Sequence, residues 1–442
     1  MAKLKPNDRI KMKYGDEAII ISELGSGGQG TVYKVKYNGK EYALKWYHSG
    51  VFGDKSEEFY KNLENNITKG APSPSFLWPL YITKTFDNSF GYLMDLRPDG
   101  YFELTDFFVK TAMKKQIRFQ SFDAVVNAAI NIISGFRELH NSGYSYQDIN
   151  NGNFFIDPKN GNVLICDNDN VSPAGINLGI LGKQRYMAPE VVTGKNAPDK
   201  QSDRFSLSVI LFRLMFINHP LEGVRSTPPC MTKEFERKYY GEEPIFIYDP
   251  DITSNRPIIG TDANLKKFWA AYPEYIKQMF IKAFSQDVML NRENRIIEKE
   301  WMDAFFRLKA SIVTCPYCHD KDGTFINQTG KNYCIDPKCQ KPIVVNNTLK
   351  LQSFELPLFP GVRITHYHID SLTQDIKSQV GIVIMNPKNP NLFGIKNLSN
   401  QIWIVDLPDG TQKEVAPATV MPIKEGYIIH FSNNKNEVGT IN

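Results

Sequence analysis

The spacing of apolar residues changes twice along the chain, and this change most restricts the fold. From about residue 9 to 95, short runs such as EAIIISEL and TVYKVKY alternate apolar and polar residues between glycines, which indicates a small antiparallel sheet. From 103 to 312 the spacing is mainly helical, and β-type runs return after about 346. The pattern predicts an α+β protein in which a strand-rich lobe is followed by a helix-rich lobe and by a separate all-β, sandwich-like domain.

Length and composition are those of an ordinary folded protein. The 442 residues allow two or three domains, and 42% apolar with 23% charged side chains argue against disorder. Fifty-two basic and 48 acidic residues leave a net charge of +4, which is too small over this length to indicate a nucleic-acid partner. No stretch approaches the roughly 18 apolar residues of a membrane span, so we expect a cytoplasmic protein without a membrane partner.

A glycine-rich loop separates two of the strand runs. Gly25, Gly27 and Gly30 form G-x-G-x-x-G-x-V between two strands rather than before a helix, which argues against a dinucleotide fingerprint. Without Cβ atoms, such a loop can lay its backbone amides over phosphates while Val32 covers one face of an adenine. Glycines of an ordinary hairpin turn are the alternative interpretation.

A lysine and a helical segment with three glutamates follow the glycines. Lys45 lies in EYALKWY, where neighbours such as Ala43 should hold it rigidly, and a fixed ammonium suits the α- and β-phosphates of a nucleotide. An exposed strand lysine is the alternative. Among the glutamates we favour Glu64 for the site because it lies on the side of Leu63 and Ile67, although glutamates on solvated helix faces are common.

The strongest chemical signal is a set of oxygen donors after a long amphipathic segment. Asp148, Asn153 and Asp167 occur as D-x-x-x-x-N, a predicted β-hairpin, and then D. Phosphoryl transfer needs a carboxylate that orients the attacking hydroxyl and accepts its proton, and hard oxygen ligands for Mg²⁺. Asp148 suits the first role, and Asn153 and Asp167 suit the second. Asx-rich turns are the alternative, which the ordered spacing disfavours.

The order of these parts over about residues 10 to 312 resembles the eukaryotic-type protein kinase family: glycine loop, strand lysine, helix glutamate, catalytic loop and metal-binding aspartate. Downstream, residues 188–190 read A-P-E, and Asp203 matches the family's buried aspartate that organises the catalytic-loop backbone. Arg295 would pair with Glu190. The resemblance implies a bilobal kinase fold and an enzyme that uses ATP and Mg²⁺ to phosphorylate a protein, with A-P-E favouring serine or threonine acceptors.

Several positions depart from the family pattern. Gln147 replaces the arginine before Asp148, and the segment from Asp167 to Glu190 has no threonine, which predicts activation without a phosphorylated loop. The metal-binding D-F-G reads D-N-D, so that Asp169 replaces a glycine and could add a metal ligand or face solvent. Inactive members typically lose the lysine, the base or a metal ligand, and all three remain here. A nucleotide-binding pseudokinase scaffold is the alternative.

The resemblance also assigns residues to a nucleotide pocket. Met94 would line the back of the adenine site, Asp95 and Leu96 would lie on the hinge, and Phe155 could form the floor. Ala43 belongs to the same group because it lies two residues before the lysine of the site. Each of these residues would also suit an ordinary core or strand edge.

Four of the six cysteines cluster within 25 positions. Cys315, Cys318, Cys334 and Cys339 run C-x2-C, fifteen residues, then C-x4-C, which is the spacing of two knuckles that supply four thiolates to a structural Zn²⁺. The segment has few large apolar residues, so metal ligation would replace a core. Redox chemistry at C-P-Y-C is the alternative, but it leaves the second pair without a role.

The last β-rich segment weakly resembles forkhead-associated domains, which bind phosphothreonine. Asn-Leu-Ser precedes a strand, and a G-x-x-I-x-F strand closes the domain, but Arg363, Thr365 and His366 match the family's phosphate-binding residues poorly. A docking module that binds protein without phosphate is favoured. A phosphopeptide adaptor working through this domain is the alternative function for the chain.

The predicted organisation has four parts: an N-lobe at 1–96, a C-lobe at 97–312, a zinc ribbon at 313–345 and a β-sandwich docking domain at 346–442. A kinase with these attachments is similar to bacterial stress-response kinases that act beside a von Willebrand-type protein and a metal-dependent phosphatase. The expected function is therefore a signalling protein kinase with a protein substrate.

Overall fold

The computed structural model of the protein describes residues 3–108, 116–226, 230, 232–258 and 263–442. Its N-terminal lobe is built on six antiparallel strands: β1 (Arg9–Lys11), β2 (Glu17–Ser26), β3 (Gly30–Tyr37), β4 (Lys40–Tyr47), β5 (Tyr81–Ile82) and β6 (Gly91–Met94). They lie in the order β1-β2-β3-β4-β6-β5. This sheet corresponds to the predicted strand-rich lobe.

Helix α1 (Ser56–Lys69) interrupts the sheet between β4 and β5. It ends at Gly70, where a φ of 80° is a conformation that glycine adopts without strain. Phe59 and Leu63 are buried and Ile67 is half-buried, so the apolar face is the one that the helical spacing predicts. This face packs towards the site described below.

The second lobe is mainly helical, as predicted. Its central helix is buried on nearly every side and begins at Asp199, whose carboxylate accepts hydrogen bonds from two backbone N–H groups of the first turn. None of the described helices combines the length and apolarity needed to cross a bilayer. The helices of this lobe are α2 (Thr105–Phe108), α3 (Phe122–Asn141), α4 (Pro189–Val192), α5 (Lys200–Phe216, the central helix), α6 (Lys233–Arg237), α7 (Ala263–Ala271), α8 (Glu274–Ala283), α9 (Gln286–Leu290) and α10 (Glu298–Ala310).

Short strands at the boundary of the lobes carry the polar motif residues. They are β7 (Phe102–Glu103), β8 (Tyr144–Ser145), β9 (Phe154–Ile156), β10 (Val163–Ile165) and β11 (Ser172–Pro173). The hairpin β9–β10 is antiparallel and pairs with β7, whereas β8 pairs with β11. The end of β10 is fixed to the strand-rich lobe, since Leu77 N donates to Ile165 O at 2.8 Å and Ile165 N to Ser75 O at 2.7 Å.

The cysteine-containing segment forms two small hairpins that pack on the helical lobe. The Phe325 ring lies 5.0 Å from that of Phe122 and 5.2 Å from that of Tyr272, measured between centroids. Backbone hydrogen bonds from Phe122 N to Asp322 O and from Ile326 N to Ser311 O add to this contact. The strands are β12 (Ile312–Val313), β13 (Thr324–Phe325), β14 (Gly330–Tyr333) and β15 (Pro342–Val345).

The C-terminal part consists of two antiparallel sheets and one helical turn, which confirms the predicted all-β character. Its strands and helix are β16 (Thr348–Lys350), β17 (Glu355–Pro357), β18 (Arg363–Thr365), α11 (His366–Ile369), β19 (Gln379–Asn386), β20 (Asn389–Asn397), β21 (Trp403–Asp406), β22 (Gln412–Val415), β23 (Val420–Pro422), β24 (Ile428–His430) and β25 (Val438–Ile441). The sheets have the orders β17-β16-β25-β24-β21-β22 and β18-β19-β20-β23.

Helix α10 joins this β domain to the helical lobe. The Phe306 ring of α10 stacks on Tyr367 at 4.2 Å, and the Tyr367 hydroxyl donates to Asp303 Oδ1 at 2.9 Å. His368 is buried with both ring nitrogens engaged, because Nδ1 accepts from Thr365 N at 3.0 Å while Nε2 donates to Phe306 O at 2.9 Å. The fold therefore holds this histidine as a neutral imidazole.

This buried histidine predicts an acid-sensitive junction. Burial lowers the pKa of His368 to about 4, so as the pH falls below 6.5 the unfolded chain takes up the proton first and folding stability is lost. From pH 7.5 to pH 5 the loss at this residue should be about 2 kcal/mol. Urea unfolding at each pH, compared with His368→Asn, measures it. The variant should be less stable at pH 7.5 but lose less on acidification, and equal pH slopes would contradict this account.

Candidate active site

Lys45 lies between the two lobes, in the middle of strand β4. The strand register pairs it with Val32 on β3 and with Tyr92 on β6, so its position in the sheet is fixed from both sides. The side chain is buried, and Nζ lies 2.8 Å from Asp169 Oδ2 and 3.4 Å from Asp167 Oδ1. The predicted lysine of the sheet lobe therefore meets the predicted aspartate of the helical lobe.

The electrostatics of this pair favour a charged lysine. Burial by itself would lower the pKa of Lys45, but the carboxylates of Asp169 and Asp167 outweigh it and raise that pKa above the ordinary lysine value. The Tyr47 hydroxyl also donates to Asp169 Oδ2, and burial beside this carboxylate raises the pKa of Tyr47. Lys45 is thus an ammonium ion in a fixed position at neutral pH.

The structure does not bring Glu64, the predicted helix glutamate of this site, to Lys45. Its carboxylate accepts a hydrogen bond from Lys13 Nζ, while Lys45 is paired with the two aspartates. Leu63 is buried in the core, and the next residue along a helix is rotated by about 100°, which turns Glu64 towards Lys13. The other glutamates of α1, at 57 and 58, are exposed.

The catalytic-loop candidates are held by hydrogen bonds to one another. Asn153 Nδ2 donates to Asp148 O at 2.9 Å, and Asn150 Nδ2 donates to Asp148 Oδ1 at 3.1 Å. Burial raises the pKa of Asp148 to about 6, an effect that the Asn150 amide opposes and the Asp167 charge reinforces. The carboxylate is therefore mostly ionised at pH 7 and able to accept a proton.

Asp203 orders the backbone of this loop from the buried helix α5. Its carboxylate accepts hydrogen bonds from Tyr146 N at 2.6 Å and from Gln147 N at 2.9 Å. His140 Nε2 lies 3.2 Å from the same carboxylate, and its Nδ1 lies 2.8 Å from Glu298 Oε1 on α10. The role expected for Asp203 is present, and it forms part of a buried network.

The D-N-D segment follows the hairpin and has an unusual backbone. Asp167 adopts a left-handed conformation with φ of 54°, and its side chain is 42% exposed. Asn168 is buried and donates from Nδ2 to Leu77 O at 2.8 Å and to Ile165 O at 2.9 Å. Asp169 is fully buried. It does not face solvent, and its carboxylate is engaged by Lys45 and Tyr47.

An apolar cluster borders the lysine. It contains most of the residues predicted for a nucleotide pocket, together with Tyr92 and Cys166. The Asp95 carboxylate is the exception, since it pairs with Lys40 at 2.9 Å on the surface. The predicted members of the cluster are Val32, Ala43, Met94, Leu96 and Phe155.

The glycine-rich loop joins β2 to β3. Gly27 N donates to Gly30 O at 2.9 Å, which closes the turn, while Gly25 is part of β2. A Cβ atom on Gly30 would lie 2.4 Å from the Trp46 carbonyl oxygen, so only glycine fits there. No heavy atom lies within 4 Å of where a Cβ on Gly25 or Gly27 would be, so these two positions border open space.

Sequence reasoning did not assign a structural role to Gln147, which ties the loop to the segment after Asp167. With φ of 70°, Gln147 donates from Nε2 to Ser145 Oγ at 2.9 Å, to Ser172 Oγ at 3.1 Å and to Ile176 O at 2.6 Å. The Asn177 amide donates to its Oε1 at 2.8 Å. A neutral amide thus holds the segment at the position where the kinase pattern has an arginine.

One further predicted feature is present in the structure. Arg295 forms a bidentate pair with Glu190, with N–O distances of 2.7 and 2.6 Å, and only 2% of its side chain is exposed. In the β domain, the Thr365 hydroxyl is buried and lies 3.0 Å from His368 Nδ1.

The four clustered cysteines converge in space. Their Sγ atoms all lie within 4.8 Å of one another, and the pairs Cys315–Cys339 and Cys318–Cys334 are 3.8 and 3.7 Å apart. Four sulfurs at 2.3 Å from a tetrahedral metal centre are separated by about 3.8 Å. The arrangement is therefore compatible with a closed tetrahedral metal site.

Comparison with known families identifies the family of the fold. A family model described as a protein kinase domain matches residues 19–254, which is more than half of the chain. The match includes the glycine loop, Lys45, Asp148, Asn153 and Asp167. The chain belongs to the protein kinase family.

Several curated kinases are similar to this chain. It is 27% identical over 223 residues to the serine/threonine-protein kinase SCH9 of Candida albicans, covering 47% of this chain and 26% of the relative. It is 28% identical over 233 residues to the dual specificity protein kinase shkB of Dictyostelium discoideum, covering 51% and 34%. Beta-adrenergic receptor kinase 1 of Mesocricetus auratus is 28% identical over 203 residues, covering 43% and 27%. The chain spans about a quarter to a third of the length of these relatives.

The amide network predicts the effect of one isosteric substitution. Gln147→Met keeps the size of the side chain but removes its hydrogen bonds, so amide hydrogen exchange across residues 172–180 should speed up by about tenfold or more. Hydrogen exchange with mass spectrometry measures this. Gln201→Met, which removes a half-buried amide bonded to Glu293 and Arg204, is the matched control and should leave that segment unchanged. Equal protection in Gln147→Met and the wild type would show that the amide does not hold the segment.

Proposed function

We propose that this chain is an active protein kinase that transfers the γ-phosphoryl group of ATP to a serine or threonine hydroxyl of a protein. The observation that carries the proposal is the meeting of the buried Lys45 ammonium with the Asp167 carboxylate from the other lobe at 3.4 Å. Asp148 and Asn153 are joined by a hydrogen bond in the loop before the same hairpin. These are the groups that phosphoryl transfer needs, and they come from both lobes.

Each group has a distinct proposed task. Lys45 and the amides of the glycine loop hold phosphates, and Asp148 orients the acceptor hydroxyl and accepts its proton. Asn153 and Asp167 would hold Mg²⁺: Asp167 is partly exposed, and the Asn153 amide nitrogen is used by Asp148 O, which leaves its Oδ1 as the ligand atom. Bound Mg²⁺ supplies positive charge that offsets the phosphate charge.

The adenine would lie in the apolar cluster beside Lys45. This cluster supplies apolar side chains from both lobes, among them Val32, Ala43 and Met94 on strands and Phe155 on the hairpin. The Asp95 side chain is paired at the surface, so we propose that the hinge contributes its backbone rather than this carboxylate. A mostly apolar pocket with a few polar groups at one end suits a nucleotide base.

The acceptor is proposed to be serine or threonine. The A-P-E segment and the names of most of the similar kinases favour this choice. Because one similar kinase is named a dual specificity kinase, the experiment below also offers tyrosine as an acceptor. Ordering of the segment by the Gln147 amide supports activity without a phosphorylated loop. The proposed context is signalling through a protein substrate.

We also propose that the cysteine cluster binds one structural Zn²⁺. The sulfur separations fit four tetrahedral ligands, which would leave no position for a catalytic water. The β domain, which is fixed to α10 by Phe306 and Asp303, is proposed to dock protein partners. The buried Thr365 hydroxyl disfavours phosphothreonine recognition at that position.

The kinase proposal predicts that Asp148→Ala lowers turnover by about 10²- to 10⁴-fold without abolishing nucleotide binding, because a positioned base is lost and the phosphate site is kept. Transfer from labelled ATP to mixed serine, threonine and tyrosine peptides measures the rate, and fluorescence titration measures MgATP affinity. Asp251→Ala, an exposed aspartate, is the matched control. An unchanged rate would remove Asp148 from the mechanism, and wild-type protein that binds MgATP without transfer would indicate a pseudokinase.

Metal removal gives a second prediction. The purified protein should contain about one zinc per chain, and Cys334→Ser should lose it together with the ordered hairpins of residues 312–345, because structural zinc contributes on the order of 10 kcal/mol. Elemental analysis and near-ultraviolet circular dichroism measure the two effects. Cys230→Ser, at an exposed cysteine outside the cluster, is the control. Zinc retained in Cys334→Ser would show that the four thiols are not its ligands.

A further inference from the structure

The carboxylate that fixes the lysine of the site is in an unexpected place. In protein kinases an ion pair between the strand lysine and a helix glutamate must be in place for activity. The helix here is α1, and its paired glutamates have other partners than Lys45. Glu57 pairs with Lys61 at 2.6 Å on the surface, and Glu64 is bonded to Lys13. The buried face of α1 carries two asparagines and two apolar residues.

Asp169 makes the close contact with Lys45 that a helix glutamate would make. It is fully buried, and its Oδ2 is 2.8 Å from Lys45 Nζ. Among the described residues, Lys45 is the cationic side chain that lies within ion-pair distance of this carboxylate. A buried charge needs such a counter-ion, so the two groups stabilise each other.

Tyr47 fixes the carboxylate from the same strand as the lysine. It lies two residues after Lys45, on the same face of β4, and its hydroxyl donates to Asp169 Oδ2. The Tyr47 ring is held by the rings of Phe52, Phe59 and Phe90, with centroids 4.8, 5.6 and 5.1 Å away. The hydroxyl therefore has a fixed direction, and Asp169 is held by two donors.

Helix α1 remains connected to this segment, but through neutral groups. Asn62 Nδ2 and Asn66 Nδ2 both donate to Val171 O, at 2.9 and 2.8 Å, two residues beyond Asp169. The helix thus positions the backbone of the segment, and the segment positions the lysine. The two functions that one helix glutamate would combine are divided between two asparagines and an aspartate.

We propose that Asp169 is the positioning residue for Lys45 in phosphoryl transfer and that Tyr47 holds it in place. The proposal rests on the kinase function proposed above. It assigns a role to the extra carboxylate of the D-N-D segment, which acts through the lysine rather than on the phosphates or the metal.

A double-mutant cycle tests this assignment with Lys45→Met, Asp169→Asn and the double variant. We expect Asp169→Asn to weaken MgATP binding and lower kcat/KM by about tenfold or more, and to have almost no further effect once Lys45 is methionine, because coupled residues are not additive. A residue with a merely structural or metal-binding role would cost as much in both backgrounds, and that outcome would overturn the proposal.

Further variants keep the test decisive. Tyr47→Phe removes one hydroxyl and should lower kcat/KM by less than Asp169→Asn does, with no added effect when the two changes are combined. If Asp169→Asn fails to fold, Tyr47→Phe by itself still tests whether the hydrogen bond to Asp169 supports the lysine. Glu64→Gln should leave MgATP affinity within about twofold of wild type, and a loss equal to that of Asp169→Asn would return the role to Glu64. If wild-type protein transfers no phosphate, the kinase proposal fails, while the MgATP affinities still test the coupling.

Discussion

The ion pair between Lys45 and the aspartates of the D-N-D segment is the interaction on which the site depends. A buried ammonium is costly to desolvate unless a carboxylate lies next to it, and here the 2.8 Å contact with Asp169 provides that partner. Because the lysine comes from the sheet lobe and the aspartates from the helical lobe, the pair also fixes how the lobes face each other. The apolar cluster that contains Ala43 and Tyr47 lies beside this pair.

Buried networks in the helical lobe hold the other half of the site. Asp203 orders the catalytic loop, and Arg295 anchors Glu190 at the end of the segment that begins with Asp167. Glu298 on α10 reaches the same core through His140. Since α10 also carries the contacts to the β domain, the added domain is attached close to elements that support the catalytic loop. Helix α10 thus contacts both the core behind the catalytic loop and the β domain.

Much of the fold and of the site could be predicted from the sequence because the signals were local. The change from period-2 to helical spacing marked the lobes, and the spacing of Asp148, Asn153 and Asp167 placed three groups on one loop and one hairpin. The four cysteines converge because each pair lies on a short turn. The predicted strand that carries Lys45 is paired on both sides, with β3 and β6, and Lys45 meets the aspartates of the D-N-D segment.

The contacts that the sequence did not indicate join distant parts of the chain. Helical spacing showed which side of α1 is apolar, but not that Glu64 turns towards Lys13 while Asn62 and Asn66 face the D-N-D segment. Asp169 could not be assigned because its partner Tyr47 lies 122 residues away. The paired asparagines four residues apart on the buried face were the one signal that could have indicated a polar contact there.

The most direct test of the central claim is a crystal structure of the protein with Mg²⁺ and a non-hydrolysable ATP analogue. The account predicts that Lys45 Nζ contacts a phosphate oxygen of the nucleotide while remaining within hydrogen-bond distance of Asp169, with Glu64 still on Lys13. A lysine that leaves Asp169 for a glutamate of α1 when nucleotide binds would contradict it.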